Sequence, residues 1–134
     1  MSERDATQAA LLERVGAIAP RAGLDLLLLF GSRARGDVHP HSDWDFGYLA
    51  SSALEPEALA GELSRVTGSD RVDLADLARA GGLLRFRAAR DGRVVFERQA
   101  GLYERFWLGA VGFWCDAAPV IGPAHEAVLE RLGS

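Results

Sequence analysis

The segment that most constrains this chain is Leu24-Asp25-Leu26-Leu27-Leu28-Leu29-Phe30, apolar save for one early charge and closed by Gly31. It is short and ends at a glycine, so it reads as a buried strand rather than a helix. A Gly31-Ser32 turn follows, and ten residues after Ser32 the sequence Asp43-Trp44-Asp45 opens a second strand, 43–50. Alternation on that strand puts Asp43, Asp45, Gly47 and Leu49 on one face and Trp44, Phe46 and Tyr48 on the other. The aromatic face suits packing on helices, and the other is left acidic at one end. The connection between the two strands has little room for a long crossover helix, so they are expected to be antiparallel.

Around this pair the periodicity predicts an amphipathic helix over 6–19, ended by Pro20 and Gly23. A second helix is expected over 56–66, with Pro56 in its first turn and Gly68 after it. A short strand follows at 71–74, where Val72 and Leu74 point one way and Asp73 the other; Asp76 is a candidate N-cap for what comes next. A helix over 83–89 ends at Asp91-Gly92, a fourth strand spans 93–97, and helices are expected over 101–116 and 123–132. The 31–36 turn has room for a short helix, and 37–42 reads as a polar loop. The expected class is α/β, a small mixed sheet flanked by helices, forming one domain over 1–134 with a core at about 11–97 and a helical segment over 99–134.

Composition narrows the function classes. The single cysteine, Cys115, excludes an internal disulfide and a cysteine-built zinc cluster, and a reducing cytoplasm is the expected location. Residues 2–14 are polar and helix-like, so no secretory leader is expected, and no apolar run approaches the roughly 20 residues that span a bilayer. A net charge of −4 disfavours direct nucleic-acid binding through a basic surface. All 15 basic residues other than histidine are arginines, so a phosphate contact from a basic side chain must come from Arg or His. No G-x-x-x-x-G-K-[ST] loop and no Cys/His metal spacing exists.

Two aspartates at i and i+2 on one strand face repel each other unless a cation sits between them. Mg²⁺ takes carboxylate and phosphate oxygens while keeping waters. Asp73 could approach the pair from a neighbouring strand, and three acids then permit two metals roughly 3.5–4 Å apart. Gly31 lets backbone approach a phosphate, successive turn N–H groups bind anions, Ser32 adds a hydroxyl, and Arg33 and Arg35 reach phosphate oxygens with forked donors. A bare D-x-D pattern is commonplace at the edge of a sheet, and a lone Gly-Ser turn is commonplace between strand and helix. Together at this spacing they point to nucleotide transfer.

Gly31-Ser32-x10-Asp43-x-Asp45, with Ala34-Arg35-Gly36 and Pro40-x-Ser42, resembles the minimal nucleotidyltransferases of the DNA polymerase β-like superfamily. The resemblance covers about Leu11 to Glu97. It implies the polymerase β-like nucleotidyltransferase fold and Mg²⁺-dependent transfer of a nucleoside monophosphate, here AMP from ATP, with loss of diphosphate. By match to the motif, Gly31 and Ser32 would bind the triphosphate and Asp43 and Asp45 two Mg²⁺ ions. Asp73 would be the third acid, holding a metal and deprotonating the acceptor; Asp70 and Asp76 are its rivals. Family members of this size resemble antitoxins that add AMP to a separate HEPN-type RNase toxin.

Other readings stay open at this level: a nucleotidyltransferase for a small hydroxyl compound such as an aminoglycoside, or an antitoxin that neutralises by contact alone. The arginines at 85, 87, 90 and 93 form either a solvated face or a contact for nucleotide or partner. His39 and His41 are loop residues or phosphate contacts. The aromatic set Phe106, Trp107, Phe113 and Trp114 either covers the sheet or leaves a face for a partner or a second copy of the chain.

Overall fold

The computed structural model describes residues 3–36 and 42–117. His39, His41, the residues of the expected loop up to 41 and the expected helix over 123–132 lie outside them. The described elements are α1 (Glu3–Ile18), β1 (Leu24–Phe30), α2 (Ser32–Arg35), β2 (Trp44–Ala50), α3 (Pro56–Thr67), β3 (Val72–Asp76), α4 (Gly82–Asp91), β4 (Arg93–Glu97) and α5 (Leu102–Ala117). The four strands form one sheet in the order β3-β2-β1-β4. β1 is antiparallel to both β2 and β4, and β2 is parallel to β3, so the sheet is mixed.

The apolar character of β1 follows from its central place. Leu27 and Leu29 join Val15, Ile18, Phe46, Leu59 and Leu63 beneath α1 and α3. Leu26 and Leu28 face the other way, with Leu77, Phe86, Phe106 and Ala110 beneath α4 and α5. A strand covered on both sides has no face to spare for polar residues. The one charge, Asp25, falls at a register shift between Leu24 and Leu26. There its carboxylate accepts from Arg98 Nε at 3.1 Å and from the Ser51 hydroxyl.

β2 divides its residues as alternation requires. Trp44, Phe46 and Tyr48 are buried under α1 and α3, with the Trp44 and Phe46 rings parallel at 6.0 Å between centroids. Leu49 packs on the α4–α5 side, and Gly47 leaves room for Leu77: a Cβ there would lie 2.9 Å from a Leu77 methyl. Asp45 shares this second face.

One local expectation changes. Asp76 caps no helix: it ends β3, and its Oδ1 accepts the Ala78 N–H at 3.0 Å in a turn, while α4 begins only at Gly82. An aspartate holding the N–H two residues on closes an Asx turn as readily as it starts a helix. α4 ends at Asp91 with Gly92 after it, as the sequence leads one to expect.

Candidate active site

Strand register assembles the acids. Asp45 and Asp73 are both second residues of their strands and are direct neighbours in the parallel β2–β3 pair. Asp45 is also opposite Phe30, the last residue of β1, so the turn after β1 arrives beside it. Gly31 has φ 74°, and a Cβ there would stand 2.3 Å from Asp45 Oδ2. The left-handed backbone and the closeness of the carboxylate therefore both demand glycine. Ser32 opens the single turn of α2, which Arg35 closes by donating its N–H to Gly31 O at 3.2 Å.

Burial raises the Asp45 carboxyl above the ordinary aspartate range; the charges of Asp73 and Asp43 raise it further, and so does a side-chain hydrogen bond with Asp73. Only the Arg35 charge opposes them. Two carboxylates in this relation share a proton or require a cation. Asp43 precedes β2 and is exposed, so its charge reaches Asp45 from the rim. Among the described residues no three acids, histidines or cysteines already converge as a ligand cage. Asp70 lines a separate cavity with Arg33, Ser42, Trp44 and Arg71, and Asp76 pairs in register with Tyr48 at the other end of β3. Of the three candidate third acids, Asp73 is therefore the one beside Asp45.

The two arginines of the turn part company. Arg35 lines a cavity of about 770 Å³ together with Gly31, Asp45 and Asp73. Arg33 lies over the Trp44 ring, 4.1 Å from its centroid, and donates through Nε and Nη2 to Ser42 O at 3.1 and 3.0 Å. Residues two apart on a helix are about 200° apart around its axis, so a single turn sends them to opposite faces of the sheet.

α4 also lines the cavity, through Leu84, Arg87, Arg90 and Asp91. Asp91, whose side chain is 5 % exposed, accepts from Arg35 Nη1 at 3.1 Å and from Arg90 Nη2 at 2.9 Å. Burial works to raise its carboxyl, but the bonds and charges of Arg90 and Arg35 outweigh burial and hold it below the usual range. Sequence reasoning singled out the arginine cluster without placing it and missed Asp91. The available signal was the helical spacing of 87, 90 and 91, which puts all three on one face. Arg85 instead stacks over Phe106, 5.5 Å from the ring centroid. On α5, Phe106, Ala110 and Val111 are buried, while Leu108 and Phe113 are exposed. The Trp114 and Cys115 side chains lie outside the described set.

Among the described residues no helix is long and apolar enough to cross a membrane. The protein adenylyltransferase MntA of Aphanizomenon flos-aquae is 32% identical over 95 residues, which cover 62% of this chain and 63% of that protein. The chain thus spans somewhat under two thirds of that relative's length. A crystal structure of a toxin–antitoxin with AMP-PNP superposes with a TM-score of 0.68 at 24% identity, covering 91% of this chain and 98% of the other. A tri-AMPylated Shewanella oneidensis HEPN toxin in complex with MNT antitoxin gives a TM-score of 0.67 at 21% identity, covering 95% and 99%. At these identities the structures establish the shared fold. Residues 17–101, which carry the Gly-Ser turn and all three acids, match the family described as polymerase beta, nucleotidyltransferase, and the chain belongs to that family.

Proposed function

We propose that this protein transfers AMP from ATP to a hydroxyl of a protein acceptor, and that the acceptor is a HEPN-type RNase toxin for which it is the antitoxin. The observation that carries the reading is the Asp45–Asp73 pair, held in register against Gly31 and facing an arginine-lined cavity. The adenylyltransferase activity in the name of the 32% identical relative, and the AMPylated toxin in the solved complex, support the choice of AMP and acceptor.

The donor set fits magnesium: hard carboxylate oxygens, two of them hydrogen-bonded to each other, with a third acid at the rim. Asp43, Asp45 and Asp73 would hold two Mg²⁺ ions, whose bound charge offsets that of the triphosphate and of the developing transition state. The Gly31-Ser32 turn offers N–H and hydroxyl donors to the phosphates, and Arg35 adds a guanidinium. Asp73 takes the acceptor's proton while the acceptor oxygen bonds to the α-phosphorus. The bond from that phosphorus to the α,β-bridging oxygen breaks, and diphosphate departs with the electron pair.

The test is transfer of label from α-labelled ATP with Mg²⁺ to a HEPN-type toxin offered as the acceptor. Asp45→Ala and Asp43→Ala should each lower labelling by about 10³-fold or more, the scale of losing several kcal/mol of charge stabilisation. Full labelling by the double variant would sink the assignment. A labelled small product with unlabelled protein would move the acceptor to a small hydroxyl compound. Cells still protected by the metal-site variants would point to neutralisation by contact.

A further inference from the structure

The cavity brings both signs of charge together. Asp45 and Asp73 line it from the strands, and Arg35 of α2 and Arg87, Arg90 and Asp91 of α4 line it from the helices. Asp91 engages Arg35 and Arg90. Arg87 is exposed, lines the same cavity, and has no carboxylate within ion-pair distance among the described residues. The last turn of a helix favours cations electrostatically, which accounts for Arg90 there but not for Arg87, nor for both lining a cavity that holds two acids.

We propose that the end of α4 receives the leaving diphosphate: Arg87 contacts it directly, and Asp91 is a positioning residue that holds Arg35 and Arg90 toward it. This rests on the nucleotide-transfer reading above. Transfer places the α-phosphoryl group at the acids, and the arginines line the same cavity, within reach of the β- and γ-phosphates that follow it. When the α-phosphorus–oxygen bond breaks, negative charge grows on the departing oxygen, and a guanidinium placed at that end stabilises the charge as it forms. Asp91 serves the same end indirectly. Two unrestrained arginines would adopt many rotamers; a buried carboxylate that bonds both fixes the α2 guanidinium relative to α4 before substrate arrives. Sequence separation makes this a tertiary device, since Arg35 and Asp91 are 56 residues apart.

Calorimetric titration of the whole chain with three probes tests it: inorganic diphosphate, a non-hydrolysable ATP analogue with Mg²⁺, and AMP. Arg87→Ala should weaken diphosphate and the ATP analogue by about 10- to 100-fold, the range of a charge-assisted hydrogen bond, and leave AMP within about twofold. Arg87→Lys should recover part of the loss. Asp91→Asn should weaken the ATP analogue relative to AMP, with Asp91→Glu recovering part. A purely structural ion pair would instead lower the melting temperature and leave the ratio of the two affinities alone. Unchanged diphosphate binding by Arg87→Ala, or an equal loss for AMP, overturns the proposal. Arg87-dependent diphosphate binding in a protein that takes up no Mg–ATP would uphold the anion site and sink the transfer reading instead.

Discussion

The two faces of β2 are made by alternate residues of one seven-residue strand, yet they meet opposite physical demands. Trp44, Phe46 and Tyr48 are buried against α1 and α3 and stabilise the fold by leaving water. Asp45, their neighbour on the other side, is partly buried beside another carboxylate and is held in an environment that opposes its charge. One face contributes stability, and the other spends some of it to keep two acids close. The shared backbone lets the first hold the second in place: Asp45 cannot retreat from Asp73 without moving Trp44 and Phe46 out of their core.

The sharpest way to break this contrast is Phe46→Ala. Phe46 is fully buried, and its loss should cost about 3–5 kcal/mol, read as a lower urea midpoint. A loss below about 1 kcal/mol would mean that the aromatic face is not what anchors the strand. Gly31→Ala comes next. It forces a left-handed backbone on alanine and drives a methyl into Asp45, at a cost of about 1–3 kcal/mol together with loss of AMP transfer. Normal activity in this variant would show that the turn does not need to touch the acid.

Arg33→Ala sharpens the comparison from the stabilising side. It removes the contact over Trp44, worth about 0.5–1 kcal/mol, and should leave affinity for a non-hydrolysable ATP analogue unchanged. A tenfold loss of that affinity would instead return Arg33 to the nucleotide-binding set. The smallest shift has the opposite sign. Because the Asp45 carboxyl is raised in the folded state, the stability it adds is fully present below its unfolded value, about 3.9, and fades as pH rises through the raised one. Asp45→Asn should therefore raise the melting temperature of the magnesium-free protein at pH 7, with little gain near pH 4. An equal gap at both pH values would show that Asp45 is not under electrostatic strain.

What the sequence disclosed follows the same division. The span 24–30 was readable as β1 because a doubly covered strand admits almost no polar residue, and Asp45 and Asp73 were readable because alternation fixes a face. The antiparallel β1–β2 pair followed from the shortness of the connection between them. Arg33 and Arg35 looked equivalent because nothing local shows how α2 is turned against the sheet. Asp91 was hidden for a different reason: beside Gly92 it has the look of a helix terminus, and its partner Arg35 is brought to it only by the packing of α4 over the sheet. Local rules reach the acids; the arginine lining belongs to long-range assembly.

β3 is the outermost strand on its side of the sheet, and Asp73 is its second residue. Strand ends at a sheet margin open locally far more readily than a centre buried on both sides. A brief detachment of that margin would carry one acid away while β1, β2 and the Gly-Ser turn stayed folded. The proposed AMP transfer is therefore expected to be less durable than the architecture: mild heat or denaturant should silence it well before spectroscopy registers any unfolding.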